Sequence, residues 1–326
     1  MKAFKHITAN SVEEAIALIR THNGKACLIA GGTDLLGVLK DEILPDYPAA
    51  VINIKTIPEL DHIKKNNDGL KIGPLTKLAD VVAHPLIKKR FSCLSQAAAA
   101  VATPEIRNMA TLGGNLCQDT RCWYYRYPQH VGGRIMCHRK GKGPCQAVKG
   151  DNRYHAIMGA KVCFAVCPSD TAIALSALDA ELEITGSQGV RNVSLNEFFT
   201  TLGNILKPDE LLTNIQIPYP PKGAKQAFLK FTLRKPVDFA IASVASVITM
   251  QDGICKAARI VLGAVAPTPV RATDAEASII GKAADGVVIE EAAEAAMAGA
   301  KPMRMNAYKV EITKTLIKRA LLSIFQ

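Results

Sequence analysis

ACLIAGGTDLLGVLK, residues 26–40, is the stretch on which the fold turns. A short apolar run ends in two glycines, Thr-Asp follows, and an apolar-periodic segment takes over: strand, tight turn, helix. Residues 111–116, TLGGNL, have the same form, with an apolar lead-in, Gly-Gly, a small polar residue and Leu. Glycines let a backbone take positive φ and approach a ligand closely. Successive amides in such a turn form an anion nest, to which Thr and Asn side chains add hydrogen bonds. Two nests on one diphosphate would hold a dinucleotide; two ordinary strand-to-helix connections fit the pattern as well. Neither stretch matches G-x-G-x-x-G or G-x-x-x-x-G-K-[ST].

Outward from these turns the chain reads as mixed α/β. Ser11 with Glu14 forms a capping box ahead of a helix. Strands are expected in AAVINI (49–54) and in GLKIGPLT (69–76), and an Ala-rich helix in FSCLSQAAAAVA (91–102), stopping near Pro104. DTAIALSALDAELEITG (170–186) reads as a helix leading into a strand. DFAIASVASVITM and ICKAARIVLGAV read as a hairpin joined at QDG, and two amphipathic helices close the chain. The Pro-Pro-Lys-Gly break at 220–223 marks the expected boundary between a unit of residues 1–221 and one of 222–326.

At 326 residues two or three units are expected, and a 48% apolar composition suits a packed core. No apolar run reaches the roughly 18–20 residues of a membrane span, and the start lacks a signal peptide's apolar centre. The expected location is the cytoplasm, with export as a partner's passenger left open. The net charge of +11 invites a nucleic-acid reading. Residues 122–167, however, hold eight Lys/Arg against one acid, seven of those eleven net charges. The basic excess belongs to one loop. That loop, with Cys117 just before it, also concentrates six of the nine cysteines: Cys117, Cys122, Cys137, Cys145, Cys163 and Cys167. Cys27, Cys93 and Cys255 lie in apolar or helical surroundings and are expected as buried small hydrophobes.

AGGTDLL and IRNMATLGGNL together resemble the two flavin signatures of the FAD-binding subunit of the molybdenum hydroxylases, the xanthine dehydrogenase family. CPSDTA (167–172) resembles that family's Ser-Asp segment, and FLKFTLRKPVDFAIASVA (228–245) the opening of its C-terminal domain. The resemblance covers nearly the whole chain. It implies an α+β fold: a two-subdomain α/β FAD-binding domain of the vanillyl-alcohol-oxidase-like type, then a small α+β C-terminal domain. Carried over by position, Ile29, Ala30, Gly31, Gly32, Thr33, Asp34, Leu35 and Leu36 would cradle the FAD diphosphate with Thr111, Gly113, Gly114 and Asn115. Asp170 would be a ribose or polar contact, and Lys230 would lie near the flavin ring.

Between the second glycine pair and the Ser-Asp segment the chain inserts roughly forty residues, and long loops inside compact domains are usually functional or disordered. The insertion resembles that of 4-hydroxybenzoyl-CoA reductase and of a molybdenum aldehyde oxidoreductase group, where it binds a [4Fe-4S] cluster. The implied ligands are Cys122, Cys137, Cys145 and Cys163, with Cys167 as rival for the fourth place and Cys117 a remoter one. A structural zinc site is the alternative; His130, His138 and His155 read as surface or supporting residues, and Trp123, Tyr124, Tyr125 and Tyr127 as packing. The loop's cations would raise a cluster's potential or dock an acidic partner, with the rest a solvated face. The implied function is electron transfer, with no catalytic side chain of its own. A molybdopterin-binding large subunit and a small subunit with two [2Fe-2S] clusters would be partners, with an external electron carrier beyond. A stand-alone FAD oxidoreductase and a zinc-stabilised nucleic-acid binder are the other readings.

Overall fold

The computed structural model describes residues 1–234, 237–283 and 285–325. Lys235 and Pro236, inside the 228–245 segment noted above, lie outside the described residues. Near the N-terminus, strands β1 (Lys5–Thr8), β2 (Ala26–Ile29) and β3 (Ala50–Asn53) form a parallel sheet in the order β1-β3-β2. The helix Val12–Thr21 crosses between β1 and β2. Ser11 caps it, its hydroxyl accepting from the Glu14 amide at 3.1 Å, and Val12, Ala15, Ile16 and Ile19 form its buried stripe.

A second, antiparallel sheet runs β4-β5-β10-β6-β7, from β4 (Ile63–Lys65), β5 (Gly69–Ile72), β6 (Glu181–Gly186), β7 (Gly189–Ser194) and β10 (Leu211–Pro218). β8 (Phe199–Thr200) and β9 (Gly203–Asn204) make a small ribbon between β7 and β10. Against this sheet pack the helices Leu78–Ala83, Ser92–Ala99 and Asp170–Ala177, in a core that includes Leu94, Ile173, Leu175 and Ile215.

The last sheet is antiparallel, from β11 (Ala224–Phe231), β12 (Ala242–Gln251), β13 (Ile254–Gly263) and β14 (Val270–Arg271). Its apolar runs are explained by burial on both faces. Ala245 and Val247 of β12 enter the core of the preceding sheet, while Val244 and Ile248 pack against the helices Gly286–Met297 and Tyr308–Phe325. The QDG hairpin forms as expected, with Asp252 and Gly253 both at positive φ (51° and 76°). The mixed α/β expectation is met.

One expectation is corrected. TLGGNL is not a strand-to-helix turn: Thr111 makes only an isolated bridge with Lys77, and Gly113 and Gly114 lie inside the helix Leu112–Cys117. The insertion, residues 122–167, holds no α-helix or strand among the described residues and is built around short 3-10 turns at 129–131, 138–140 and 146–148.

Candidate functional site: a backbone-lined cleft beside a cysteine cavity

A cleft of about 810 Å³ opens between the parallel sheet and the rest of the molecule, within the size range of organic-ligand sites. Both glycine segments line it, and they touch. A Cβ at Gly31 would stand 2.0 Å from the Met109 carbonyl oxygen, so only glycine permits that approach. Gly32 adopts φ +71°, which turns the chain into the next helix. Ile29, Ala30, Gly31, Gly32, Thr33, Asp34 and Leu35 all face the cleft; Leu36 does not, being turned outward and 40% exposed.

The amides of Gly31 to Asp34 have no acceptor among the described residues, so this turn presents a row of donors to the cleft. The second pair differs, and its expected nest is corrected. Leu112 N donates to Thr76 O (2.8 Å), Gly113 N to Pro74 O (2.8 Å) and Gly114 N to Thr111 Oγ1 (3.1 Å). Its donors are spent. What it offers the cleft is close packing and the Asn115 side chain. Asn115 Oδ1 accepts from Ser169 Oγ (2.7 Å) and Thr171 Oγ1 (2.6 Å), which leaves Nδ2 to donate.

Asp170 and Lys230 also line the cleft, and they hold one another. The Lys230 ammonium donates to the Asp170 carboxylate at 2.6 Å and to Ala100 O at 2.9 Å, with both side chains buried. Burial pushes the Asp170 carboxyl above its usual range, and the Lys230 charge pulls it back. Asp34 is used in the same inward way. Its carboxylate takes Arg121 Nη1 at 2.6 Å, Arg126 Nη2 at 2.7 Å and the Asp119 amide at 2.8 Å. The glycine turn is thereby tied to the start of the insertion. Arg121, stacked over Phe239 at 4.6 Å, is a cleft residue that sequence reading missed. Cys27 was expected in the core but is half-buried on the cleft wall.

Beyond the Asp34 ion pairs lies a second, much smaller cavity lined by Cys122, Cys137, Cys145 and Cys163 together with Tyr124, Tyr125 and Arg139. Cys167 is not among them: it is buried in the main core. Cys117 faces the cleft instead. All nine cysteines are free thiols. The cysteine cavity measures only about 10 Å³, room for about one water, so no organic ligand fits between these sulfurs. Among the described residues no three His, Cys, Asp or Glu side chains are arranged to hold a metal ion.

The polar groups round this cavity are only partly satisfied. His155 is buried, its Nε2 3.2 Å from Cys122 Sγ, while its Nδ1 has no partner. Burial, with the Lys309 charge, pushes its pKa down to about 4. Trp123 packs edge-on to His155 and Tyr154. Lys140 is 4% exposed and its Nζ also lacks a partner. Burial disfavours its charge, as does the Arg134 charge, while Cys137 and Cys122 favour it. The other loop cations divide. Arg126, Arg134 and Arg139 bond inward, to Asp34, to the Glu42 carbonyl, and to Asp119 with the Thr201 and Leu202 carbonyls. Lys142, Lys149, Lys161 and Arg153 are exposed, as are His130 and His138.

Sequence reading also missed the far wall's anchor. Asn306 Nδ2 and Lys309 Nζ, from the C-terminal segment, both donate to the His155 carbonyl (3.1 and 3.0 Å). Nothing local in their sequence distinguishes them from helix-surface residues.

Two family models match the chain: the FAD binding domain in molybdopterin dehydrogenase over residues 2–220, and the CO dehydrogenase flavoprotein C-terminal domain over 227–324. The aldehyde oxidoreductase FAD-binding subunit PaoB of Escherichia coli K12 is 35% identical over 99% of this chain and 98% of its own length. The carbon monoxide dehydrogenase medium chain of Hydrogenophaga pseudoflava is 28% identical over 98% of this chain and 96% of its own. Among solved structures, carbon monoxide dehydrogenase from that organism superposes with a TM-score of 0.80 at 28% identity, over 99% of this chain and 97% of the other. Quinoline 2-oxidoreductase from Pseudomonas putida 86 gives 0.78 at 27%, over 100% and 99%. No described helix is long and apolar enough to cross a membrane.

Proposed function

Since the chain belongs to the FAD-binding medium subunits of the molybdenum hydroxylase and xanthine dehydrogenase family of oxidoreductases, we propose that it carries electrons between a partner and an external acceptor through FAD and a [4Fe-4S] cluster. The partners in this reading are a molybdopterin-binding large subunit and a small subunit with two [2Fe-2S] clusters, and the substrate is oxidised or reduced on the large one. Residues 1–221 are assigned to the cofactors, and residues 222–326 to closing the cleft through Lys230 and Phe239. The reading puts the chain in the cytoplasm, where unpaired thiols persist.

The FAD diphosphate would lie on the open amides of Gly31 to Asp34, with Asn115 Nδ2 as a side-chain donor. A row of amides without acceptors, at a turn where glycine is obligatory, is what an anion requires. The Asp170–Lys230 pair would present a fixed dipole to the ring end while keeping its own charges compensated. When bound, FAD exchanges one or two electrons and the cluster one.

One observation carries the cluster assignment: four cysteines far apart in sequence line one cavity, whose Tyr125 ring also faces the buried Lys140 ammonium. A cube needs four thiolates, one to each iron, and four cysteines are what this cavity brings together. Asp34, held by Arg121 and Arg126, would keep the two cofactors at a fixed separation. Arg126, Arg134 and Arg139 turn inward, which removes much of the basis for nucleic-acid binding.

The test is a pair of variants in the anaerobically purified enzyme. Cys163→Ser should lose iron and labile sulfide while retaining FAD; Cys167→Ser should retain all three. The reverse pattern would make Cys167 the ligand, and iron unchanged in both would refute the assignment.

A further inference from the structure

We propose that Lys140 and His155 set the reduction potential of the group held in the cysteine cavity, Lys140 by its buried charge and His155 by a hydrogen bond from Nε2 to the Cys122 sulfur. The inference rests on the cluster reading above and adds to it which residues tune the centre.

Lys140 differs from every other cation of the loop. Arg126 and Arg139 meet carboxylates, Arg134 meets a carbonyl, Arg153 pairs with Asp151, and Lys142, Lys149 and Lys161 reach solvent. Lys140 alone in the loop is buried with no hydrogen-bond acceptor for its Nζ; that atom lies 5.5 Å from the ring of Tyr125, a cavity-lining residue, and the Lys140 amide donates to the Cys137 carbonyl at 2.9 Å. A buried ammonium without a counterion is strongly disfavoured. Four thiolates on a cube are anionic, and they supply the missing counter-charge where it is needed.

His155 acts over a shorter range. An iron-bound thiolate only accepts, so the imidazole proton must sit on Nε2, 3.2 Å from Cys122 Sγ, and the bare nitrogen is the partnerless Nδ1. The buried ring is held by Trp123 and Tyr124, whose rings pack against it at 5.8 and 6.0 Å, and the His155 backbone is pinned on both sides. Its amide donates to Asn152 O, and its carbonyl accepts from Asn306 and Lys309. The C-terminal domain thus holds His155 through side-chain hydrogen bonds to its carbonyl. Reduction adds negative charge to the centre. A nearby cation and a donor to sulfur therefore both favour the reduced form and raise the potential.

The experiment is an EPR-monitored redox titration of the anaerobically purified enzyme, with flavin absorbance read on the same samples. Lys140→Met should lower the ratio of reduced to oxidised cluster at a fixed ambient potential by about tenfold, equivalent to about 59 mV for one electron. His155→Phe should lower it by a smaller factor, about threefold. Lys140→Arg keeps the charge and should titrate as wild type, and flavin should titrate unchanged in all three. Loss of iron in Lys140→Met with retention in Lys140→Arg would also support a charge requirement. Wild-type titration of Lys140→Met, or iron lost equally from the Met and Arg variants, would overturn the proposal. A wild-type enzyme without iron would instead sink the cluster reading beneath it.

Discussion

The two glycine pairs are nearly the same in letters and opposite in use. Gly31 and Gly32 sit in an open turn whose amides point at the cleft unspent. Gly113 and Gly114 sit in the first turn of a helix, and their amides are consumed by Pro74 and Thr111. In the first pair glycine frees donors for a ligand. In the second it lets a helix lie against Pro74, where a Cβ at Gly113 would come within 2.5 Å of the proline ring. The lesson is that a glycine motif marks close approach, and only the hydrogen-bond inventory says whether a ligand or the protein itself does the approaching.

This contrast can be broken by substitution. Gly31→Ala should be the most damaging, because its Cβ meets a backbone oxygen that cannot move aside. A loss of about 3 kcal/mol is expected, with flavin content falling by more than the stability loss alone explains. Thermal unfolding of flavin-free and flavin-loaded protein measures the two separately. Gly113→Ala should cost less, about 1–2 kcal/mol, since the clash is partly offset by the better helix propensity of Ala. Its flavin affinity, by isothermal titration of the apoprotein, should fall little; an affinity loss equal to that of Gly31→Ala would erase the distinction. Thr111→Ala removes only the cap on Gly114 and should cost about 1 kcal/mol with flavin affinity unchanged.

Much of this was legible in the sequence. Alternation and turn residues located β12, β13 and their Asp252–Gly253 hairpin, and Ser11 with Glu14 announced the first helix. These are local signals, set by neighbours a few residues away. The second glycine pair was misread because its partners, Pro74 and Thr76, lie far back in the chain and leave no mark on TLGGNL itself. The use of the Asp34 side chain was hidden for the same reason; that Arg121 and Arg126 take its carboxylate depends on where the insertion folds. Within the basic loop, composition showed an excess of charge but not which cation is buried. Lys140 lies between Arg139, which reaches Asp119, and Lys142, which reaches solvent. Only packing separates the three.

The cysteine cavity extends the comparison to a site built from side chains instead of amides, and the central claim is that one chain holds both cofactors, FAD on the amides and a [4Fe-4S] cluster on the thiolates. Iron, labile sulfide and FAD measured per chain on anaerobically purified protein test this most directly. The account predicts one FAD with about four iron and about four sulfide. FAD without iron and sulfide, or zinc in their place, would contradict it and make the insertion a structural clip.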